Sequence, residues 1–71
     1  MKANDTVKII SSPELIKMKL GQLCGETGIV VEARNSGCWV EFQEPFMDEM
    51  EWFVPYSSLV KTGHIDDEQT V

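Results

Sequence analysis

The sequence predicts an all-β domain: a strongly bent antiparallel sheet of five short strands, with one short helical turn in the first connection and a 3₁₀ turn before the last strand. Three segments predict this fold. Gly25–Val31 opens an apolar run with two glycines, which allow backbone bends and close approaches that larger residues resist. Cys38–Phe42 alternates between apolar and polar residues, as a half-buried strand does. Phe53–Val60 contains Pro55, which ends one strand and turns the chain toward the next.

The first strand is predicted over Thr6–Ile10, where apolar and polar residues alternate until the last position. A short helix is expected to follow. Ser12 fits its N-cap, Pro13 suits its first position, and Glu14 favours the positive end of its dipole.

The stretch Leu15–Leu20 could form one or two helical turns, although it is too short to be stable alone. In that conformation Leu15, Met18 and Leu20 would face the core. A long loop with one turn of helix is an equally good interpretation.

The second and third strands form a predicted hairpin. Ile29–Arg34 is β-branched at its start, and Asn35–Gly37 makes a compact polar turn with residues that tolerate positive φ. In Cys38–Phe42, the first, third and fifth side chains share one face and Trp39 and Glu41 share the other. We assign the first set to the core because the second set contains the charge.

Residues 43–50 have no usable hydrophobic period, and Pro45 argues against an uninterrupted central strand. We expect a protruding loop or distorted hairpin here, with one helical turn as an alternative. The fourth strand is predicted over Glu51–Val54, and the pattern leaves open whether Trp52 or Phe53 faces the core. A 3₁₀ turn over Tyr56–Ser58 and a last strand over Leu59–Lys61 complete the sheet.

A chain of 71 residues makes one small domain. We predict a flexible N-terminus over 1–5, the folded domain over 6–61, and a flexible acidic tail over 62–71, where apolar periodicity is lost. No apolar run approaches the roughly 20 residues of a membrane span, and the start lacks the apolar segment of a signal peptide. We therefore expect a cytoplasmic protein.

The formal charge of −6 is unevenly distributed. Residues 1–40 carry a balance of +1, whereas residues 41–71 carry −7. Nucleic-acid binders gain affinity from Lys and Arg on phosphates, so an acidic half argues against nucleic acid as a partner. It argues against an anionic membrane for the same reason. The charge is either a solvated surface that aids solubility or a face for a basic partner.

Few residues of this chain could act as metal ligands, catalytic nucleophiles or redox-active thiols. Cys24 and Cys38 are predicted to be reduced, packed thiols, since small disulfide-stapled domains are denser in cysteine. His64 is the single histidine, so a zinc site with four Cys or His ligands is not available. No nucleophile has an evident base. We predict no metal, no cofactor and no enzymatic activity.

Two motifs carry a resemblance to known families. The segment Gly25–Val30 resembles the G-x-x-G-x-V core of KOW modules, and Val54–Val60 is similar to the 3₁₀ turn that precedes the last strand of SH3 domains. With five strands and a long first connection, the chain resembles the SH3-like small β-barrel superfamily over Val7–Lys61. The Val7–Ile9 start and the strand after Gly28 also resemble the peripheral E subunits of photosystem I, whose basic ferredoxin-docking residues are mostly absent here.

The resemblance implies a binding module. Two departures from the family patterns narrow the classes of ligand that the resemblance implies. Proline-recognising SH3 domains carry an Ala-Leu-Tyr-Asp-Tyr-type opening and a tandem tryptophan, whereas Trp39 and Trp52 are isolated here. RNA-binding KOW modules supply basic residues around the glycine motif, and here only Arg34, Lys17 and Lys19 are near.

The sequence therefore predicts a non-enzymatic SH3-like adaptor domain that engages a protein partner through aromatics and the acidic loop over 43–51. Aromatic and Met side chains are enriched at such interfaces. The predicted partner-binding residues are Trp39, Phe46, Met47, Met50, Trp52 and Tyr56. The competing interpretation is that the tryptophans complete the core at a barrel end. Alternative functions are a KOW-like nucleic-acid-associated module or a structural subunit of a larger assembly, with the chain a monomer or weak homo-oligomer.

Overall fold

Five antiparallel strands form one sheet in the computed structural model, which describes residues 1–65. The strands are β1 (Asp5–Ile9), β2 (Thr27–Ala33), β3 (Gly37–Phe46), β4 (Glu49–Pro55) and β5 (Leu59–His64). A five-residue helix, α1 (Pro13–Lys17), and a 3₁₀ turn (Gly21–Leu23) lie between β1 and β2, and a second 3₁₀ turn (Tyr56–Ser58) joins β4 to β5. The predicted all-β class, the strand number and both helical features are confirmed.

The strand order is β4-β3-β2-β1-β5. The first and last strands of the chain are therefore neighbours, with Ile9 opposite Leu59. The edges of the sheet are β4 and β5, although these two strands follow one another in the chain. Within residues 1–65, no helix has the length and apolar character needed to cross a bilayer.

The core lies on one face of the sheet and under the first connection. Cys38, Val40 and Phe42 point into it, as predicted, while Trp39 points out. The buried apolar residues are Val7, Ile9, Leu15, Leu20, Leu23, Val30, Cys38, Val40, Phe42, Val54 and Leu59. β1 and β3 contribute alternate residues, which is what the period-2 pattern requires, whereas β5 contributes only Leu59.

The start of α1 follows its sequence signals. Ser12 is the N-cap and its Oγ accepts a hydrogen bond of 3.1 Å from the Leu15 N–H, with Pro13 at the first helical position. Ser12 Oγ is also hydrogen-bonded to the buried Ser58 Oγ. Ser57 Oγ donates to a Glu14 carboxylate oxygen at 2.8 Å, which lowers the pKa of Glu14. These contacts attach α1 to the second 3₁₀ turn.

The prediction that Met18 faces the core is wrong, because α1 ends at Lys17. Lys19 then adopts the left-handed conformation (φ 62°), which turns the chain and brings Leu20 rather than Met18 back to the core. Met18 remains 42% exposed.

The two glycines ahead of β2 have different structural roles. Gly25 has φ +92°, a conformation that side chains disfavour. Gly28 faces the core opposite Phe42, where a Cβ would lie 2.5 Å from Val40 Cγ1. The bend and the close approach predicted from this pair are both present.

The β3–β4 connection is a distorted hairpin, so the alternative of a helical turn over 43–50 is wrong. Met47 and Asp48 form a two-residue turn with φ values of 52° and 69°, and the register shifts between Glu41 and Phe46. β3 runs through Pro45 because this part of the strand lies beyond Phe42, the last residue paired with β2 in the described register. The missing N–H of the proline therefore breaks no ladder bond to β2.

Both ends of the folded region reach further than predicted. β1 begins at Asp5, and β5 continues three residues past Lys61 to His64, with Gly63 opposite Thr6. The pairing of β1 with β5 stabilises these residues, and local sequence periodicity does not report such a long-range contact. The rest of the predicted acidic tail, 66–71, lies outside the described residues.

Asp5 is a fully buried carboxylate at this end of the sheet. One oxygen accepts the Lys2 backbone N–H at 2.9 Å, and the other lies 2.7 Å from His64 Nδ1 and 3.6 Å from Lys61 Nζ. The Lys2 hydrogen bond first, then His64 and Lys61, lower the pKa of Asp5 from 3.8 to about 2, against the opposing effect of burial. The Asp5 carboxylate thereby joins the start of β1 to β5.

Candidate binding surface

The aromatic residues of β3 and β4 divide between the two faces of the sheet. Trp39 lies directly opposite Phe53, and Val40 lies opposite Trp52. Because opposed residues of an antiparallel pair share a face, Trp52 points to the core with Val40 while Trp39 and Phe53 point outward. The orientation that the sequence left open is therefore Trp52 in and Phe53 out.

The inner aromatic pair consists of Phe46 and Trp52. Their ring centroids lie 5.4 Å apart at an interplanar angle of 67°, and both rings pack against the core. Trp52 Nε1 donates to the carbonyl oxygens of Phe46 and Glu49, each at 3.1 Å, so the indole closes the end of the hairpin. These two predicted binding residues are packed into the structure.

The outer aromatic pair consists of Trp39 and Phe53. Their centroids lie 5.6 Å apart, also at 67°, and Trp39 is 36% exposed. Unlike Trp52, the Trp39 indole donates no hydrogen bond to any residue between 1 and 65. The indole N–H of Trp39 can therefore donate a hydrogen bond to a partner.

A groove of about 350 Å³ adjoins the outer pair between α1 and the end of β4. Phe53, Pro55 and the exposed Met18 line it together with Glu14, Lys17 and Ser36, and nearly all of the lining surface is apolar. Sequence reasoning missed Phe53 and Met18 as groove residues, and it did not foresee that the largely buried Pro55 would line the same groove. Trp39 was predicted to point outward and Val40 inward. This prediction would also have placed Phe53 outward, but only if the register of β3 against β4 had been known.

The remaining predicted binding residues lie elsewhere. Tyr56 donates its hydroxyl to the Arg34 carbonyl oxygen, and burial raises the pKa of that phenol. Met47 is 72% exposed at the tip of the hairpin. Met50 lines a different groove, of about 440 Å³, beside Ile29. The continuous Trp39–Trp52–Tyr56 surface expected from the sequence is not formed, because Trp39 and Trp52 are on opposite faces.

Carboxylates surround the outer aromatic pair. Glu32 lies opposite Trp39 on β2 and makes an ion pair of 2.9 Å with Arg34. Glu41 and Glu51 lie directly opposite each other on β3 and β4. Within residues 1–65, neither of these two has a cationic group within 4 Å.

The described chain offers little for metal or thiol chemistry. Among residues 1–65 no three His, Cys, Asp or Glu side chains are grouped to hold a metal ion. Cys38 is buried as predicted, whereas Cys24 is exposed rather than packed, because the chain turns at Gly25. What the arrangement offers chemically is an apolar, acid-rimmed surface.

The chain matches no protein-family model, and comparisons with curated proteins and with solved structures likewise found no match.

Proposed function

We propose that this chain is a non-enzymatic SH3-like binding module that engages a protein partner through the outer aromatic pair and the adjoining groove. The observation that carries the proposal is the outward Trp39–Phe53 pair beside a groove of about 350 Å³. Aromatic and Met side chains are the types enriched at protein interfaces, and Met18 lies in the same groove.

The connection from β4 to β5 supports the barrel part of the proposal. In a flat sheet these edge strands would lie about 19 Å apart, which is four spacings of about 4.8 Å. The connection is a three-residue 3₁₀ turn, Tyr56–Ser58, and at roughly 2 Å per residue it advances only about 8 Å from Pro55 to Leu59. A sheet bent strongly enough to bring its two edges together at this corner accounts for so short a connection.

The contacts at the same corner also favour a bent sheet. Ser58 is fully buried and is hydrogen-bonded to Ser12 at the start of α1. Leu15 of that helix is fully buried in the core. The first connection therefore packs over the core beside this corner, which a long first connection of the SH3-like kind allows.

Capture of binding proteins from the producing cell, followed by affinity measurement, tests the proposal. Trp39→Ser and Phe53→Ser remove the outer pair, and Val60→Ser is the matched control because Val60 is a similarly exposed apolar residue on β5. Each captured protein is measured against all variants after urea unfolding has shown that they are folded. We expect about tenfold weaker binding for either aromatic variant, equivalent to about 1.4 kcal/mol, and unchanged binding for the control. Equal binding by all three variants would contradict the proposed surface.

A further inference from the structure

The outer aromatic pair is bordered by carboxylates from three adjacent strands. Glu32 on β2 is opposite Trp39, and Glu41 is two residues further along β3 on the same face. Glu51 on β4 is opposite Glu41 and two residues from Phe53. Alternation places Glu41 and Glu51 on the outer face of the sheet, and the register shift in β2 between Val30 and Glu32 brings Glu32 to the same face, opposite Trp39.

Glu41 and Glu51 are an unfavourable pair within the free protein. Like charges directly opposite one another in antiparallel strands destabilise a sheet. Glu32, by contrast, is neutralised by Arg34 at 2.9 Å. No cation between residues 1 and 65 lies within 4 Å of Glu41 or Glu51, so a cation from outside would relieve their repulsion.

We propose that this outer face binds an arginine side chain on a positively charged segment of the partner protein. The inference rests on the proposed function and specifies the partner's chemistry. A guanidinium next to Trp39 gains cation–π attraction, and its planar set of N–H donors can reach two carboxylates at once. Glu41 and Glu51 supply those carboxylates, and the outer pair supplies the aromatic surface.

The charge distribution favours a basic protein segment over other partners. The chain carries −6 overall, and Glu41 and Glu51 would repel nucleic-acid phosphates. Lys17, the cation of the adjoining groove, lies beyond Phe53 at the α1 side, beside Glu14. A bound segment would therefore place its arginine over Glu41 and Glu51 and its apolar residues toward Met18 and Pro55.

The test is an NMR titration of the isotope-labelled full chain at low and at physiological salt. The probes are three acetylated and amidated pentapeptides: Gly-Arg-Gly-Arg-Gly, its lysine analogue and its glutamate analogue. We expect the arginine peptide to shift the Trp39 indole signal and the amides of Glu41, Glu51 and Phe53. The lysine peptide should bind more weakly, the glutamate peptide should not bind, and salt should weaken all binding.

Two single variants with the same net charge sharpen the test. Glu51→Gln should weaken arginine-peptide binding about threefold, the size of one exposed charge contact. Glu26→Gln is the control, because Glu26 lies beside Leu23 and Phe46 away from the outer pair. Glu51→Gln should at the same time raise the urea midpoint slightly, since it removes the repulsion from Glu41. Weaker binding with higher stability cannot come from partial unfolding.

Several results would overturn the inference. They are an absence of shifts with the arginine peptide, equal binding of the glutamate peptide, and equal weakening by Glu51→Gln and Glu26→Gln. Concentration-dependent shifts of Trp39 without peptide would show that a second copy of the chain occupies the face instead. If the binding of a captured protein requires Trp39 but not Glu51, the proposed function stands and only the proposal of an arginine ligand is overturned.

Discussion

Two aromatic pairs on the same two strands have almost the same geometry and opposite environments. Phe46–Trp52 and Trp39–Phe53 have centroid separations of 5.4 and 5.6 Å and the same interplanar angle of 67°. The inner pair packs on the core, and its indole N–H donates to two carbonyl oxygens. The outer pair remains on the surface among carboxylates.

This difference shows that the residue type and the pair geometry do not decide between packing and binding. What decides is the strand register, which places Trp52 beside Val40 and Phe53 beside Trp39. A shift of one residue in β4 would turn Phe53 toward the core and Trp52 outward, and neither pair would form. The hairpin turn at Met47 and Asp48 connects the two strands and helps to set this register. It therefore helps to decide which aromatic residues face the core.

Truncating each tryptophan should give the largest contrast. Trp52→Ala removes a ring packed on the core and two hydrogen bonds, so we expect a loss of about 3 kcal/mol in the free energy of unfolding. Trp39→Ala removes a partly exposed ring and one aromatic contact, which predicts a loss of about 1 kcal/mol. Urea unfolding at neutral pH measures both. Equal losses would contradict the assignment of the two faces.

Widening the β3–β4 ribbon should disturb both pairs together. Gly37 lies opposite Pro55, and a Cβ there would stand 2.2 Å from the Val54 carbonyl oxygen, a backbone atom that cannot rotate away. We expect Gly37→Ala to cost about 2 kcal/mol by urea unfolding, with altered NMR signals from both tryptophans. Gly21→Ala is the control, since a Cβ at Gly21 meets no atom within 4 Å. A fully stable Gly37→Ala protein would contradict this close approach.

Acid should act on the fold through Asp5 before any effect on the aromatic pairs. The pKa of Asp5 is about 2 in the folded protein, below its ordinary 3.8, so the folded state binds fewer protons. The stabilisation is complete above about pH 4 and is lost as the pH falls toward 2. We expect the urea midpoint to fall over this range, and to fall less in Asp5→Asn, which starts lower at pH 7. A parallel fall in both proteins would exclude Asp5 as the source.

The smallest effect is expected at the hairpin tip. Met47 has φ 52°, a conformation in which Asn or Gly is less strained. Met47→Asn should therefore raise the free energy of unfolding by about 0.5 kcal/mol without changing the exposure of either tryptophan. A destabilised Met47→Asn protein would show that the Met47 side chain contributes contacts that outweigh its backbone strain.

Local patterns in the sequence predicted most of the fold. Alternation in Cys38–Phe42 gave the core face of β3, and Ser12 and Pro13 gave the start of α1. Gly25 provides the bend before β2, and Gly28 provides the close approach to β3, as the spacing of the two glycines indicated. These features depend on a few neighbouring residues, and residue type alone reports them.

Features that depend on distant pairing were not predictable. The side of β4 that faces the core follows from a two-residue turn whose residues, Met47 and Asp48, lack the usual Asn-Gly signal. The extension of β5 to His64 depends on β1, 59 residues away from it at the Asp5–His64 contact. The candidate site differs from the predicted one for the same reason. Trp39 points outward as predicted, but the aromatic residue beside it on β4 is Phe53 and not Trp52.

Collisional quenching by acrylamide in two single-tryptophan variants tests the separation of the faces most directly. Trp52→Phe leaves Trp39 as the only fluorophore, and Trp39→Phe leaves Trp52. We predict that Trp39 is quenched several times more strongly than Trp52, and that the arginine peptide protects Trp39 alone. Equal quenching of the two tryptophans, or protection of Trp52 by the peptide, would contradict the division into an inner packing pair and an outer binding pair.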